Sequence, residues 1–198
     1  MAKLRLTEQD KIAAANRLGI KLSALKAICD VESKGTGFLN DDRPIILFER
    51  HVMYRQLKKV GIKADAFAVT QPDIVNKTFG GYKGGKAEWE RFNQASLIHK
   101  DCAIESTSFG LFQIMGFHWA LLGYKSAELF MAAMQESEAK QLYAFCTFIL
   151  KNTTMHKALK ELRFAEFARL YNGADYQRNQ YDLKLAKAFA KYEQGTGK

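Results

Sequence analysis

Three short segments carry residue types suited to acid–base chemistry on a polar substrate. The first is Val31-Glu32-Ser33, at the foot of an apolar stretch holding Leu25, Ile28 and Cys29 and just ahead of Gly35 and Gly37. A glutamate beside apolar surface keeps its proton to higher pH than one in water, because burial penalises the charged form. A general acid needs that property. An isolated glutamate at a helix end is ordinarily a solvated surface residue, so its neighbours are what single out Glu32. The second segment runs from Ser106 through Ser108 to Gly116. Its ordinary meaning is a tight turn into a buried helix. Gln113 fits that poorly, because an amide in an apolar run needs hydrogen-bond partners, which a bound sugar could supply. The third, Ala168 to Gly173, contains Tyr171-Asn172. Taken alone it is a helix closed by Asn-Gly.

Glycoside hydrolysis usually employs two carboxylates, one protonating the leaving oxygen and one activating water or attacking the sugar. Asp30, Asp41, Asp42 and Glu49 lie near Glu32 in sequence. Asp30 sits about 200° around a helix from Glu32 and should face away. Asp41 and Asp42 belong to a turn, where such residues bond the backbone. Glu49 closes a strand that returns toward the helix and is the best placed of the four. Its competing role is a cap or ion-pair partner for the helix that follows.

The elements that must position these groups are mostly helical. Thr7 with Asp10 forms a capping box for a helix over Glu8 to Leu18, and Gly19 ends it. Ser23 is expected to cap a second helix, Ala24 to Val31. Phe38 to Phe48 reads as a β-hairpin around Asn40 to Pro44, with β-rich Ile45 to Phe48 as its second strand. A helix through Val52 to Val60 is closed by Gly61. Lys63 to Lys86, with Pro72 and two Gly-Gly pairs, reads as a long surface excursion, and such loops are often functional. Helices follow over Trp89 to His99, Glu138 to Leu150 and Arg163 to Tyr171, with a last one from near Asp175. That last helix carries Leu185, Phe189 and Tyr192 on one side and Lys184, Lys187 and Lys191 on the other.

The chain has 198 residues, 47% of them hydrophobic, and two prolines. It is long enough for one real core and too apolar for general disorder. The net charge of +9 favours a polyanionic surface such as cell wall, anionic lipid or nucleic acid. The basic residues are dispersed and no nucleic-acid motif is present. Three cysteines at spacings without a metal motif read as buried free thiols, natural in a reducing compartment. No stretch has the length of a membrane span or the apolar core of a signal peptide.

In their order along the chain, the three segments resemble the lysozyme-like superfamily. Goose-type lysozymes and lytic transglycosylases carry a Glu-Ser, a Gly-Leu-Met-Gln and a Tyr-Asn-Ala-Gly in that sequence. The nearer likeness is to the N-acetylmuramidase domain of phage endolysins. It rests on Val31-Glu32-Ser33, Ile46 to His51, Gly80-Gly81-Tyr82, Ser108 to Gly116 and Tyr171-Asn172-Gly173, and spans about Leu18 to Tyr192. Two positions depart: Phe109 stands where relatives often have Trp, and Asn172-Gly173-Ala174 replaces the transglycosylase order. The resemblance implies a mainly α, lysozyme-like α+β fold, a helical bundle with one small β-hairpin beside the active-site groove. One catalytic domain over residues 1–198 is expected, without the separate wall-binding domain that many relatives have, and with no cofactor or metal. Glu32 would be the general acid in cleaving the β-1,4 bond between N-acetylmuramic acid and N-acetylglucosamine, with Glu49 as base or electrostatic partner. Ser33, Ser108, Gln113, Tyr171 and Asn172 would line the sugar groove, and Tyr82 would stack on a sugar. The expected partner is bacterial peptidoglycan, acted on by a monomer without nucleic acid. Anionic outer-membrane lipid is a second candidate partner, through the last helix. The protein would be made in the host cytoplasm without a signal peptide and reach the periplasm through a holin-type pore. A lytic transglycosylase giving 1,6-anhydro products and a cationic wall- or membrane-binding protein are the alternatives.

Overall fold

Thr7 accepts a hydrogen bond from the Asp10 amide while the Asp10 carboxylate takes the Thr7 amide at 2.9 Å. This reciprocal cap starts helix α1 (Glu8–Leu18), which Gly19 ends at φ 60°, a left-handed conformation glycine adopts without strain. The computed structural model describes residues 4–33 and 35–195. Met1 to Lys3, where the reading of the amino terminus begins, lie outside the described residues. Helix α2 (Leu22–Glu32) begins two residues before the expected start, with Lys21 as its cap. Ser23 is no cap: its buried hydroxyl donates to Glu193 at 2.5 Å, a partner far along the chain that local sequence cannot reveal.

The remaining helices are α3 (Arg50–Lys59), α4 (Ala64–Thr70), α5 (Lys86–Ile98), α6 (Lys100–Glu105), α7 (Ala127–Glu136), α8 (Glu138–Lys151), α9 (Thr153–Lys160), α10 (Phe164–Asn172) and α11 (Tyr181–Gly195). The last begins later than expected, after a short 3-10 turn over Ala174–Asn179. Strands β1 (Ile46–Phe48), β2 (Thr107–Phe109) and β3 (Ile114–Met115) form one antiparallel sheet in that order. The mainly helical α+β expectation holds, but the hairpin lies elsewhere in the chain. Phe38 to Pro44 is only a tight turn closed by one bridge, with the Leu39 amide on the Arg43 carbonyl at 2.8 Å. β1 pairs instead with β2, Leu47 opposite Ser108, and β2 turns back into β3. The hairpin is therefore the Ser108 segment. Strand pairing is a long-range choice, and the apolar run of β1 contains no clue to its partner.

Helix α2 is central. Ala24, Leu25, Ala27 and Ile28 are fully buried between α1 and α11, and Phe38, Phe48, Phe109, Phe130, Phe145 and Phe167 fill the interior around the sheet and α8. Burying each such ring contributes roughly 1.5–3 kcal/mol, so the C-terminal end of α2 projects from a rigid platform. Cys29, Cys102 and Cys146 are buried free thiols, their pKa values pushed by burial to about 12, 11 and 12. Among the described residues no helix is long and apolar enough to cross a membrane.

The excursion between α3 and α5 contains α4, then a loop held by a buried ion pair. Glu88 is 0% and Arg91 4% exposed. Glu88 accepts from the amides of Lys83 (2.6 Å), Gly84 (3.0 Å) and Phe48 (3.1 Å) and from Arg91 at 2.8 Å. Arg91 also donates to the carbonyls of Phe48 and Asp73. Burial pushes the Glu88 pKa up, but the three amides and Arg91 together outweigh it and hold the carboxyl below its ordinary value. Removing one partner of such a pair strands the other. Arg91→Met is expected to lower stability by about 3–5 kcal/mol in urea denaturation; a loss below about 1 kcal/mol would show that the pair does not hold this region together.

Candidate active site

Glu32 is the last residue of α2. The helix stops because Ser33 turns extended, its amide and its hydroxyl both donating to the Cys29 carbonyl. A carboxylate in the last turn meets the negative end of the helix dipole. Half-burial adds to this: desolvation raises the Glu32 pKa, partly opposed by one hydrogen bond, Asn172 Nδ2 donating to Glu32 Oε1 at 3.0 Å. Asn172 comes from the end of α10, where Gly173 terminates the helix at φ 83°.

Tyr171 precedes Asn172 and points about 100° away around the helix. Its hydroxyl donates to the Phe112 carbonyl at 2.8 Å, and burial, then the Glu32 charge, raise its pKa well above normal. Phe112 stacks on Phe145 with centroids 4.3 Å apart. The neighbouring Leu111 amide donates to Gln141 at 2.7 Å, and a Cβ on Gly110 would fall 2.3 Å from that same amide group. Gln113, next in the turn between β2 and β3, adopts φ 49°, a left-handed conformation uncommon for a non-glycine. Its side chain ties the turn together: it accepts from Ser108 Oγ at 2.8 Å and donates to the carbonyls of Gly110 (2.8 Å) and Ile45 (3.2 Å). The partners that Gln113 needs are thus protein groups, while the residue itself remains exposed.

Alternation along β1 puts Pro44, Ile46 and Phe48 inward and leaves Ile45, Leu47 and Glu49 half-exposed on the other face. Ser108 lies opposite Leu47 and Met115 opposite Ser108, so they share that face. Glu49 stands at its end. The Tyr82 hydroxyl lies 2.9 and 2.8 Å from the two Glu49 oxygens, and His51 Nδ1 is 3.2 Å from Oε2, out of line for a hydrogen bond. Glu49 makes no side-chain cap to α3, its competing role in the sequence reading.

A continuous series of contacts thus runs from Glu32 through Asn172 and Tyr171 to the β2–β3 turn, across Gln113 and Ser108 to β1, and on to Glu49 and Tyr82. Ser33 stands apart, lining a cavity of about 440 Å³ with Cys29, Leu111 and Glu138. Another cavity, about 450 Å³ between α1 and α8, includes none of these residues. Asp30 faces α11, accepting from Tyr192 at 2.5 Å. Among the described residues no group of three or more histidine, cysteine or acidic side chains clusters as a metal site. Sequence reading missed Tyr181, close enough to Glu32 that burial and then the Glu32 charge raise its pKa. No local pattern marks it, because it follows an irregular turn.

The family model described as Muramidase, N-acetylmuramidase, matches residues 21–193. The chain belongs to the N-acetylmuramidase family. The crystal structure of the Burkholderia AP3 phage endolysin is similar at a TM-score of 0.93 and 50% identity, over 96% of this chain and 72% of that one. A search of characterised proteins returns no significant match. This muramidase is a peptidoglycan hydrolase, a lysozyme-type glycosidase.

The raised pKa of Glu32 has two measurable consequences. Asn172 favours the ionised carboxylate, so Asn172→Ala should raise the Glu32 pKa further. If Glu32 acts as an acid, the basic limb of the pH–rate profile then moves to higher pH; a limb that stays or moves down contradicts the contact. Second, a carboxyl whose folded pKa lies above its unfolded value stabilises the fold below the unfolded pKa, and that contribution is lost as pH rises through the folded pKa. Glu32→Gln should therefore melt with the wild type at acid pH and above it at neutral pH. A pH-independent difference in melting temperature would contradict the burial of this group.

Proposed function

We propose that Glu32 is the general acid of this muramidase and that the scissile linkage is the β-1,4 bond between N-acetylmuramic acid and N-acetylglucosamine. One observation carries the reading: Glu32 has its pKa raised by burial and is aimed by Asn172, whose neighbour Tyr171 is bonded to the β2–β3 turn. The protonated carboxyl gives its proton to the glycosidic oxygen as the bond to C1 breaks. A water molecule adds at C1, its proton passing to Glu49 or to solvent. Glu49 serves as base or as electrostatic support for the developing positive charge. Tyr82 positions it: burial, the hydrogen bond to Glu49 and the Glu49 charge all raise the Tyr82 pKa, so the phenol keeps the proton it donates. Gln113 and Ser108 shape the groove floor, Tyr171 braces the turn, and Ser33 secures the helix end beneath Glu32.

The peptidoglycan-cleaving unit is taken to be one domain acting as a monomer, without bound nucleic acid or cofactor. The +9 charge draws it to the anionic wall. Lys184, Lys187 and Lys191 of α11 are exposed and suit anionic lipid, while Leu185 of the same helix is buried, chiefly against α2, and Phe189 packs on Phe164. Release from the host cytoplasm through a holin-type pore completes the proposal.

Glu32→Gln should lower the rate on purified peptidoglycan by about 10²–10⁴-fold, the scale of a lost general acid, with Glu49→Gln falling less. Mass spectrometry of the wild-type fragments should show reducing ends. Wild-type rates in Glu32→Gln would remove Glu32 from the role, and 1,6-anhydro ends would replace hydrolysis by transglycosylation.

A further inference from the structure

The loop between α4 and α5 exposes two large rings near Glu49: Tyr82, which bonds to it, and Phe79, the more exposed. Phe79 is 66% exposed, yet its ring is held from two sides. It meets the His51 ring edge-on (centroids 5.3 Å, 61°) and the Tyr82 ring nearly perpendicularly (5.5 Å, 84°). Its backbone is tied as well. Arg50 donates to the carbonyls of Thr78 (3.1 Å), Pro72 (3.3 Å) and Phe79 (3.5 Å). Gly81 admits that guanidinium: a Cβ there would lie 2.9 Å from Arg50 Cζ. Glu88 grips the next turn through the Lys83 and Gly84 amides. A lone exposed ring is ordinary on a protein surface; what distinguishes Phe79 is that the two rings holding it, His51 and Tyr82, both lie against the Glu49 carboxylate.

We propose that Phe79 is a carbohydrate-stacking residue, its free face forming a subsite for an N-acetylhexosamine ring of the glycan strand next to Glu49. Such a pyranose carries its hydroxyls and acetamide around the rim and presents axial C–H bonds on its faces. A phenyl ring takes one such face while the rim groups stay hydrated. Tyr82, expected from sequence to stack on sugar, has its hydroxyl on Glu49 and its ring perpendicular to Phe79. It buttresses the platform. The subsite rests on the reading that Glu49 borders the substrate groove.

The test is steady-state kinetics on solubilised glycan strands of graded length, with calorimetric binding of an N-acetylglucosamine hexamer to Glu32→Gln and to Glu32→Gln/Phe79→Ala. Phe79→Ala should raise KM roughly three- to tenfold, the scale of one aromatic contact, with the loss falling mainly on KM and growing with strand length. Phe79→Trp should restore KM and Phe79→Leu should not, all at the wild-type melting temperature. Hexamer affinity should fall by the same factor. Wild-type KM and affinity in Phe79→Ala would overturn the subsite, as would restoration by Leu or a lowered melting temperature. Persistent cleavage by Glu32→Gln would instead remove the general acid and leave the Phe79 result standing.

Discussion

The structure turns on the half-buried carboxyl of Glu32 and the single hydrogen bond that Asn172 makes to it. Two opposing effects meet there. Desolvation and the helix terminus disfavour the charge, and the Asn172 amide favours it. If burial acted alone the group would be slow to give up its proton. If hydrogen bonds dominated, as they do at Glu88, the carboxyl would ionise early and hold none. The two glutamates show the contrast within one chain: Glu88 is fully buried and receives three amides and an arginine, whereas Glu32 is half-buried and, among the described residues, receives one amide. The first fastens a loop; the second keeps its proton to higher pH, as the proposed general acid must.

Much of the fold exists to bring α2, α10 and the β2–β3 hairpin together at that point. Apolar packing along α1 and α11 fixes the axis of α2. The aromatic stack of Phe112 on Phe145, with Tyr171 bonded to the Phe112 carbonyl, locks α10 to the hairpin. Asn172 inherits its position from that lock. On the far side, Gln113 joins the turn to Ile45 and so carries the same frame to β1 and Glu49. The two carboxylates are therefore placed by different parts of the chain and linked through the sheet.

Legibility in the sequence followed the range of the interaction involved. The capping box at Thr7 and Asp10, the stop at Gly173 and the apolar spacing of α8 are local, and each is seen where the residues indicated. Ser23 has the type of a cap, but its partner, Glu193, arrives from α11. The hairpin is hidden for the same reason: β1 is apolar enough to be a strand, but only the folded chain brings Ser108 to Leu47. Glu88 and Arg91 stood at helical spacing in the sequence, yet such pairs are ordinarily solvated, and nothing nearby announced their burial. Gln113 reads in the sequence as an amide in need of partners, and those it finds are Ser108, Gly110 and Ile45. Tyr171 and Asn172 were visible through their resemblance to lysozyme-like motifs, whereas Phe79 matched no pattern and becomes evident only as an exposed ring beside Glu49.

The most direct measurement is the titration of the Glu32 side-chain carboxyl itself, followed by carbon-13 NMR in the free protein and assigned by its loss in the Gln variant. A midpoint above the ordinary glutamate range that coincides with the basic limb of kcat/KM would be the signature of an acid held protonated by burial. A midpoint at or below the ordinary range would contradict the account, because Glu32 would then enter the reaction already ionised.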